Sequence, residues 1–172
     1  MQRPASALPS AVTVRPEPYG DEGPRWVVAQ AEAELVTRYG RLDAGERGLT
    51  AAMFEPPTGA FLVARAGGDG PPVGGVGLRA LDPKTGEVRR LWVDPAWRGR
   101  GIGRALMGTL EDAARALGLP DLLLATGDRQ PEAVALYGAT GWERLHVDAD
   151  GRSLPAGHIR LAKFVGSGSD GG

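Results

Sequence analysis

A glycine-rich segment with three arginines, residues 98–104, separates a strand-like apolar run at residues 87–93 from an amphipathic helical pattern. A helix start leaves backbone N–H groups without intrahelical partners, and the helix dipole makes that end positive. Glycines let the backbone approach a bulky anion, and guanidinium groups match phosphate oxygens. The segment therefore predicts a cradle for a phosphate group. Its members are Arg98, Gly99, Arg100, Gly101, Ile102, Gly103 and Arg104.

The spacing of this segment disfavours two common classes of phosphate-binding protein. The Walker pattern ends in Gly-Lys followed by Ser or Thr, and the chain contains no Gly-Lys pair. The dinucleotide pattern needs a third glycine three positions after Gly103, where this chain has Leu106. The sequence therefore indicates neither a nucleoside triphosphatase nor a dinucleotide-binding domain.

The pattern that does fit is Arg-x-x-Gly-x-Gly, formed by Arg98, Gly101 and Gly103 behind the run at residues 91–95. A second block, residues 130–142, has the spacing Asn-x-x-Ala-x-x-x-Tyr-x-x-x-Gly-Phe, with Gln in the first position and Trp in the last. Together the two blocks resemble the GCN5-related N-acetyltransferase (GNAT) superfamily. The glycine loop alone is also compatible with a plain helix start that binds nothing.

The resemblance implies an α/β (α+β) fold with a central, mixed, mostly antiparallel twisted sheet of about seven strands flanked by about four helices. One domain is expected over residues 12–165, with flexible ends at residues 1–11 and 166–172. The periodicity predicts helices at residues 26–39, 42–54, 101–117 and 131–141. It predicts strands at residues 12–18, 60–65, 73–81, 87–93, 122–125, 142–147 and 158–165.

In this family the strand before the glycine loop diverges from the next strand of the sheet, and the pantetheine arm of acyl-CoA enters the gap. The resemblance implies that backbone groups of Leu91, Trp92 and Val93 hydrogen-bond the arm and the thioester carbonyl. Gln130 stands where the family has an Asn that contacts the arm, and the glycine loop would hold the pyrophosphate. Acetyl-CoA is therefore the expected cosubstrate, with no metal.

Two residues are candidates for proton transfer. Tyr137 matches the family's tyrosine, and a phenol with a pKa of about 10 can donate to a thiolate whose thiol has a pKa of about 8.5. Glu87 lies where histone-type members carry a catalytic glutamate, which makes it the candidate general base. The alternatives are a packing role for Tyr137 and a solvated strand start at Glu87. Ala125 stands where members that modify protein N-termini carry a glutamate, which favours a small-molecule amine.

The resemblance implies transfer of an acetyl group to a primary amine. Direct attack is expected because the chain has no cysteine to form an acyl-enzyme. One alternative is a non-catalytic acyl-CoA-binding or regulatory domain. Another is a different donor such as succinyl-CoA, which an arginine near the thioester would favour. Acceptor specificity is expected in residues 42–57 and 148–157, and dimers in the family make a homodimer a further alternative.

Composition and charge indicate which partners and which cellular location to expect. The chain has 172 residues and a formal net charge of −1, so its overall charge predicts no nucleic acid or membrane partner. Residues 1–11 lack the apolar core of a signal peptide, and no apolar run is long enough to span a bilayer. A cytoplasmic protein is expected. His146 and His158 have no metal-ligand spacing, so structural roles are expected for both.

Overall fold

The computed structural model describes residues 12–42 and 48–166, in which a seven-stranded sheet is flanked by three α-helices. The strands are β1 (Val12–Pro16), β2 (Gly59–Ala66), β3 (Pro72–Ala80), β4 (Thr85–Val93), β5 (Asp121–Gly127), β6 (Glu143–Leu145) and β7 (His158–Phe164). The helices are α1 (Glu22–Tyr39), α2 (Ile102–Ala116) and α3 (Pro131–Ala139), with 3-10 turns at Ala51–Phe54 and Pro95–Trp97.

The strand order across the sheet is β1-β2-β3-β4-β5-β7-β6. Five of the neighbouring pairs are antiparallel, and β4 with β5 is the parallel pair. The polypeptide crosses from β4 to β5 through α2, as a parallel pair requires. The predicted mixed, mostly antiparallel sheet is confirmed.

The sheet is covered on both faces, and the alternation along β2 shows how. Leu62 and Ala64 point into the core beneath α2, whereas Phe61 and Val63 point into a second core beneath α1. All four side chains are buried, which explains why β2 reads as an unbroken apolar run. The sheet therefore fixes α1 and α2 on opposite faces.

Glycines on β3 allow α1 and the Ala51–Phe54 turn to approach the sheet closely. A Cβ on Gly75 would lie 2.9 Å from Val27 Cγ1 of α1, and one on Gly77 would lie 2.6 Å from Phe54 Cε1. Neither distance is compatible with a side chain larger than hydrogen unless the neighbour moves. These positions let α1 and the Ala51–Phe54 turn pack directly on the backbone of β3.

The ends of α1 show one difference from the sequence prediction and one agreement. The helix begins at Glu22 rather than Trp26, because Pro24 lies in the first turn, where a missing N–H costs no helical hydrogen bond. It ends as predicted at Tyr39, with Gly40 in the left-handed conformation and its N–H bonded to the carbonyl of Val36.

The predicted helix over residues 42–54 is not found as an α-helix in the described residues. A 3-10 turn occupies Ala51–Phe54, and Glu55 is extended, as expected for a residue before Pro56. Residues 43–47 lie outside the described residues, as do residues 1–11 and 167–172 of the two predicted flexible ends. None of the described helices is long and apolar enough to cross a membrane.

The close approach at Gly77 can be tested with a matched glycine. Gly77→Ala should lower the free energy of unfolding by about 1–3 kcal/mol, because the methyl group overpacks against Phe54. Gly108→Ala, on the open side of α2, should raise it by about 0.5–1 kcal/mol through helix propensity. Chemical denaturation measures both. Equal effects of the two substitutions would contradict the packing described for β3.

Candidate functional site

The site begins where β4 and β5 part. The two strands pair at only three positions, Thr85 with Asp121, Gly86 with Leu122 and Glu87 with Leu123. Arg90 then has a φ of 59°, a conformation rare for a residue with a side chain, and the register between β3 and β4 shifts nearby. This irregularity turns the second half of β4 away from β5 and opens a gap in the sheet.

The second half of β4 lines this gap. Val93 and Trp92 pair with Gly74 and Gly75 of β3, while no strand of the described residues pairs with the other edge of residues 91–93. The carbonyl of Val93 accepts a hydrogen bond from Arg98, and the remaining backbone groups on that edge are available to an extended ligand. The predicted divergence of the two strands is confirmed; a backbone contact from Leu91, Trp92 or Val93 to a ligand stays a prediction.

The loop after β4 has the geometry of an anion cradle. The Asp94 carboxylate accepts a hydrogen bond from the N–H of Ala96 at 2.9 Å, which shapes the turn before the glycines. Gly99 and Gly101 have φ values of 77° and 82°, which glycine adopts at little cost. Gly101 has no side chain to cap α2, so the first N–H groups of the helix remain open to a ligand.

A groove of about 260 Å³, the loop groove, lies over this cradle between β4, the start of α2 and α3. Ala133 and Leu136 of α3 form its apolar wall. The structure brings ten of the predicted ligand-binding residues to this groove, and Arg100 is not among them. They are Leu91, Trp92, Val93, Arg98, Gly99, Gly101, Ile102, Gly103, Arg104 and Gln130.

The three predicted arginines have different environments. Arg98 is turned inward, where its Nε donates to the carbonyl of Val93 at 2.9 Å and its Nη2 to Glu34 Oε1 at 2.8 Å. Arg100 lies over the ring of Trp97, with 4.8 Å from its guanidinium carbon to the ring centroid. Arg104 is exposed at the groove and forms no ion pair with the described residues. Arg104 is therefore the arginine best placed to meet an anion.

An ion-pair network anchors α1 to both sides of the gap, and the sequence did not predict it. Glu34 Oε1 accepts hydrogen bonds from Arg98 in the loop and, at 3.1 Å, from Arg38 one helical turn later. Arg38 also pairs with Glu132 of α3 and donates to the carbonyl of Arg129 at 2.8 Å. The hydrogen bond to Glu132 raises the pKa of Arg38, so the guanidinium stays charged. Only the Glu34 and Arg38 spacing was visible in the sequence.

A smaller cavity of about 80 Å³, the central cavity, fills the gap between β4 and β5. Tyr137 lines it and is 5% exposed, with its ring centroid 5.8 Å from that of Trp142. Burial raises the pKa of Tyr137 well above its usual range. The hydroxyl therefore stays protonated at neutral pH, as a proton donor requires. The ring lies in the core, as the packing alternative expected, and the role of Tyr137 as general acid stays a prediction.

The central cavity also contains a charged pair. Arg90 lines it with its side chain 3% exposed, and its guanidinium forms an ion pair with Glu32 of α1. This is an arginine near the expected thioester position, as the alternative of a charged acyl group requires. Its charge is offset by Glu32.

A third space of about 680 Å³, the outer groove, opens on the other side of the gap. It lies between the end of α1, the end of β5 and the segment before β7. Leu42, Ala156 and Gly157 lie at its edge, so both segments expected to control acceptor specificity contribute to it. Ala125 also lines it, exposed.

Gln130 connects the three spaces. Its side chain lies at the start of α3, where Nε2 donates to Thr126 Oγ1 at 3.1 Å, and the residue lines the loop groove, the central cavity and the outer groove. Pro131 at the first helical position fixes the backbone that follows, as the sequence predicted. The loop groove, the central cavity and the outer groove therefore adjoin at Gln130, and the three together are called the path.

Glu87 lies beside this path but does not line any of the three spaces. Its Oε1 accepts a hydrogen bond from Arg79 Nε at 2.9 Å and lies 3.4 Å from Arg89 Nη1. Glu87 and Arg89 share one face of β4, and Arg89 reaches the outer groove. A role as general base stays a prediction that requires a link through water, because a permanently protonated arginine cannot relay a proton.

Comparison with known proteins identifies the family. The model of the Acetyltransferase (GNAT) family matches residues 22–142. An IAA acetyltransferase of Azospirillum brasilense is 38% identical over 139 residues, which cover 78% of this chain and 86% of that protein. The chain belongs to the GNAT family of acetyltransferases.

Solved structures agree with this assignment. A Klebsiella pneumoniae protein provisionally described as an acyl-CoA N-acyltransferase is 26% identical, with a TM-score of 0.73 over 90% of this chain and 98% of that chain. A GNAT acetyltransferase of Elizabethkingia anophelis with acetyl-CoA bound shares the fold at 17% identity and a TM-score of 0.63, over 91% of this chain and 99% of that chain. Mycothiol acetyltransferases also match; the chain spans 51% of the length of the one from Kocuria rhizophila.

Proposed function

We propose that this protein transfers an acetyl group from acetyl-CoA to a primary amine by direct attack in a ternary complex. The observation that carries the proposal is the path from the loop groove through the central cavity to the outer groove. The donor would enter through the loop groove and the acceptor through the outer groove. The buried Tyr137 lines the central cavity, where the two would meet.

The residues of the loop groove suit a CoA thioester. The open N–H groups at the start of α2 and the exposed Arg104 would hold the pyrophosphate. The unpaired edge of residues 91–93 would hydrogen-bond the pantetheine arm and leave the thioester in the central cavity. The acetyl-CoA seen in the Elizabethkingia relative supports this donor.

The central cavity supplies the proton that the leaving thiolate takes up. Attack of the neutral amine on the thioester carbonyl forms a C–N bond and breaks the C–S bond. The nitrogen loses one proton to water, the thiolate takes one from Tyr137, and water then reprotonates Tyr137. Tyr137 holds that proton at neutral pH because burial raises its pKa. Glu87 would take the proton of the ammonium group beforehand, through water beside Arg89.

Two features of the site favour particular classes of acyl donor and amine acceptor. Arg90 lines the central cavity but is paired with Glu32, which favours an uncharged acetyl group over a succinyl group. The exposed Ala125 in the outer groove supplies no carboxylate for a protein N-terminus. A small-molecule amine is therefore the proposed acceptor.

The cradle is tested by Gly101→Asp. The added carboxylate meets the pyrophosphate at the start of α2 and should weaken CoA binding at least about tenfold, or about 1.4 kcal/mol. Gly118→Asp is the matched control, since Gly118 has a similar φ of 74° and open space at the far end of α2. Calorimetric titration with CoA measures both. Unchanged affinity in Gly101→Asp would mean that the pyrophosphate binds elsewhere.

Tyr137→Phe tests the general acid. Removing the hydroxyl should lower kcat by about 10²- to 10⁴-fold with little change in the Kd of acetyl-CoA, because the ring and its packing remain. Tyr19→Phe makes the same chemical change in the α1 core and should leave kcat near the wild-type value. A Tyr137→Phe enzyme with near-native kcat would assign Tyr137 to packing alone.

Glu87→Gln tests the general base through the pH profile. A lysine-like acceptor amine has a pKa of about 10.4, so an enzyme without a base should become faster as the pH rises towards it. We expect Glu87→Gln to be slower than wild type near neutrality and to recover progressively towards about pH 9–10. Glu143→Gln, on the exposed strand β6, is the control. A wild-type profile in Glu87→Gln would leave Glu87 as an ion-pair partner of Arg79 and Arg89.

A further inference from the structure

We propose that the acceptor carries an anionic group in addition to its amine, and that Arg41 and Arg129 of the outer groove bind that group. The inference rests on the proposed function, because it takes the outer groove as the acceptor site. The acceptor would be an amino acid or another amine that carries a carboxylate or a phosphate-like group.

The charge of the outer groove is the first observation. Three arginines line it, Arg41, Arg89 and Arg129, against the single carboxylate of Asp128 among the described lining residues. Glu87 lies behind Arg89, but its one charge is shared with Arg79. Arginine stays protonated at all accessible pH values, so the described lining residues hold an excess of positive charge. These residues would repel an acceptor that was only a cation.

The placement of Arg129 is the second observation. Its Nη1 donates to the carbonyl of Arg38 at 3.0 Å, and its guanidinium carbon lies 5.8 Å from the ring centroid of Tyr39. The hydroxyl of Tyr39 packs directly on the backbone of Gly127, where a Cβ would lie 2.0 Å from its Oη. The remaining guanidinium N–H groups make no other hydrogen bond with the described residues. A preorganised guanidinium binds an oxyanion at a lower entropic cost than a mobile one.

The connection to the central cavity is the third observation. Ala125, Thr126 and Gln130 line both the outer groove and the central cavity, whereas Arg41 and Arg129 line only the outer groove. A molecule with its anionic group at the arginines can therefore extend its amine past these residues towards the thioester. The outer groove would hold the anionic end of the acceptor at the arginines and direct its amine end towards the thioester. This orientation positions the amine for attack.

Matched acceptors test the proposal. Wild-type protein with acetyl-CoA is assayed against amino acids, the corresponding amides and methyl esters, and aminoalkylphosphonates. We expect the anionic members to have a KM at least about tenfold lower than their neutral counterparts, as for a hydrogen bond to a charged group. The preference between carboxylate and phosphonate assigns the anion.

Variants locate the effect. Arg41→Gln with Arg129→Gln should raise the KM for the anionic acceptor at least about tenfold, leave its kcat and the Kd of acetyl-CoA nearly unchanged, and leave the KM of the amide unchanged. Arg144→Gln, an exposed arginine of β6 outside the three spaces, is the control and should change none of these values. Equal use of acids and amides, or an unchanged KM in the double variant, would overturn the inference.

A binding measurement separates this inference from the proposed function. If no amine in the panel is acetylated although CoA binds, acetyl transfer to these amines is wrong. N-acetyl amino acids and their amides are then titrated into CoA-saturated protein by calorimetry. Tighter binding of the acid, lost in the double variant, supports an anion site in the outer groove. Equal binding of acid and amide overturns it.

Discussion

The separation of β4 from β5 after three paired positions creates the space in which every other feature of the site is arranged. Open backbone groups inside a sheet cost free energy unless water or a ligand satisfies them, about 1–3 kcal/mol for each buried group. The gap meets this requirement because residues 91–93 line a solvent-open groove. The positive φ of Arg90 costs about 1–2 kcal/mol. The packing around its buried side chain holds the residue in this conformation. Strain at this residue and access to the sheet edge are therefore two aspects of one irregularity.

Helix α1 holds the two sides of the gap in position. Glu32 pairs with Arg90 on β4, Glu34 with Arg98 in the loop, and Arg38 with Glu132 on α3. Partly exposed ion pairs contribute little stability individually, about 0–1 kcal/mol each. Here the ion pairs fix positions, because they connect one helix to three elements that meet in the tertiary structure but are far apart in sequence. A ligand that enters the loop groove meets side chains whose directions are already fixed by these pairs.

The parts of the site that depend on local sequence were predictable. Gly99 and Gly101 adopt positive φ because the turn before α2 requires it, and Pro131 starts α3 where its missing N–H costs nothing. Parts that depend on distant neighbours were not. The sequence predicts Arg98 beside a phosphate but does not predict its hydrogen bond to Glu34, which lies on α1 in an earlier part of the chain. The φ of Arg90 has no glycine or asparagine to signal it. Of the helix predicted over residues 42–54, the described residues form only the 3-10 turn Ala51–Phe54, which ends before Glu55, the extended residue that precedes Pro56.

The charges along the path divide it into three regions with different chemistry. The loop groove is positive at the start of α2 and at Arg104, and the outer groove is positive at Arg41 and Arg129. Between them, the charge of Arg90 is offset by Glu32 and the wall is formed by the buried Tyr137. Charged groups of two reactants would therefore be held at the ends of the path, while their reacting groups meet in the region least exposed to water. Electrostatic and hydrogen-bond interactions are stronger in such a region, so the proton held by Tyr137 acts where the leaving group forms and not along the whole groove.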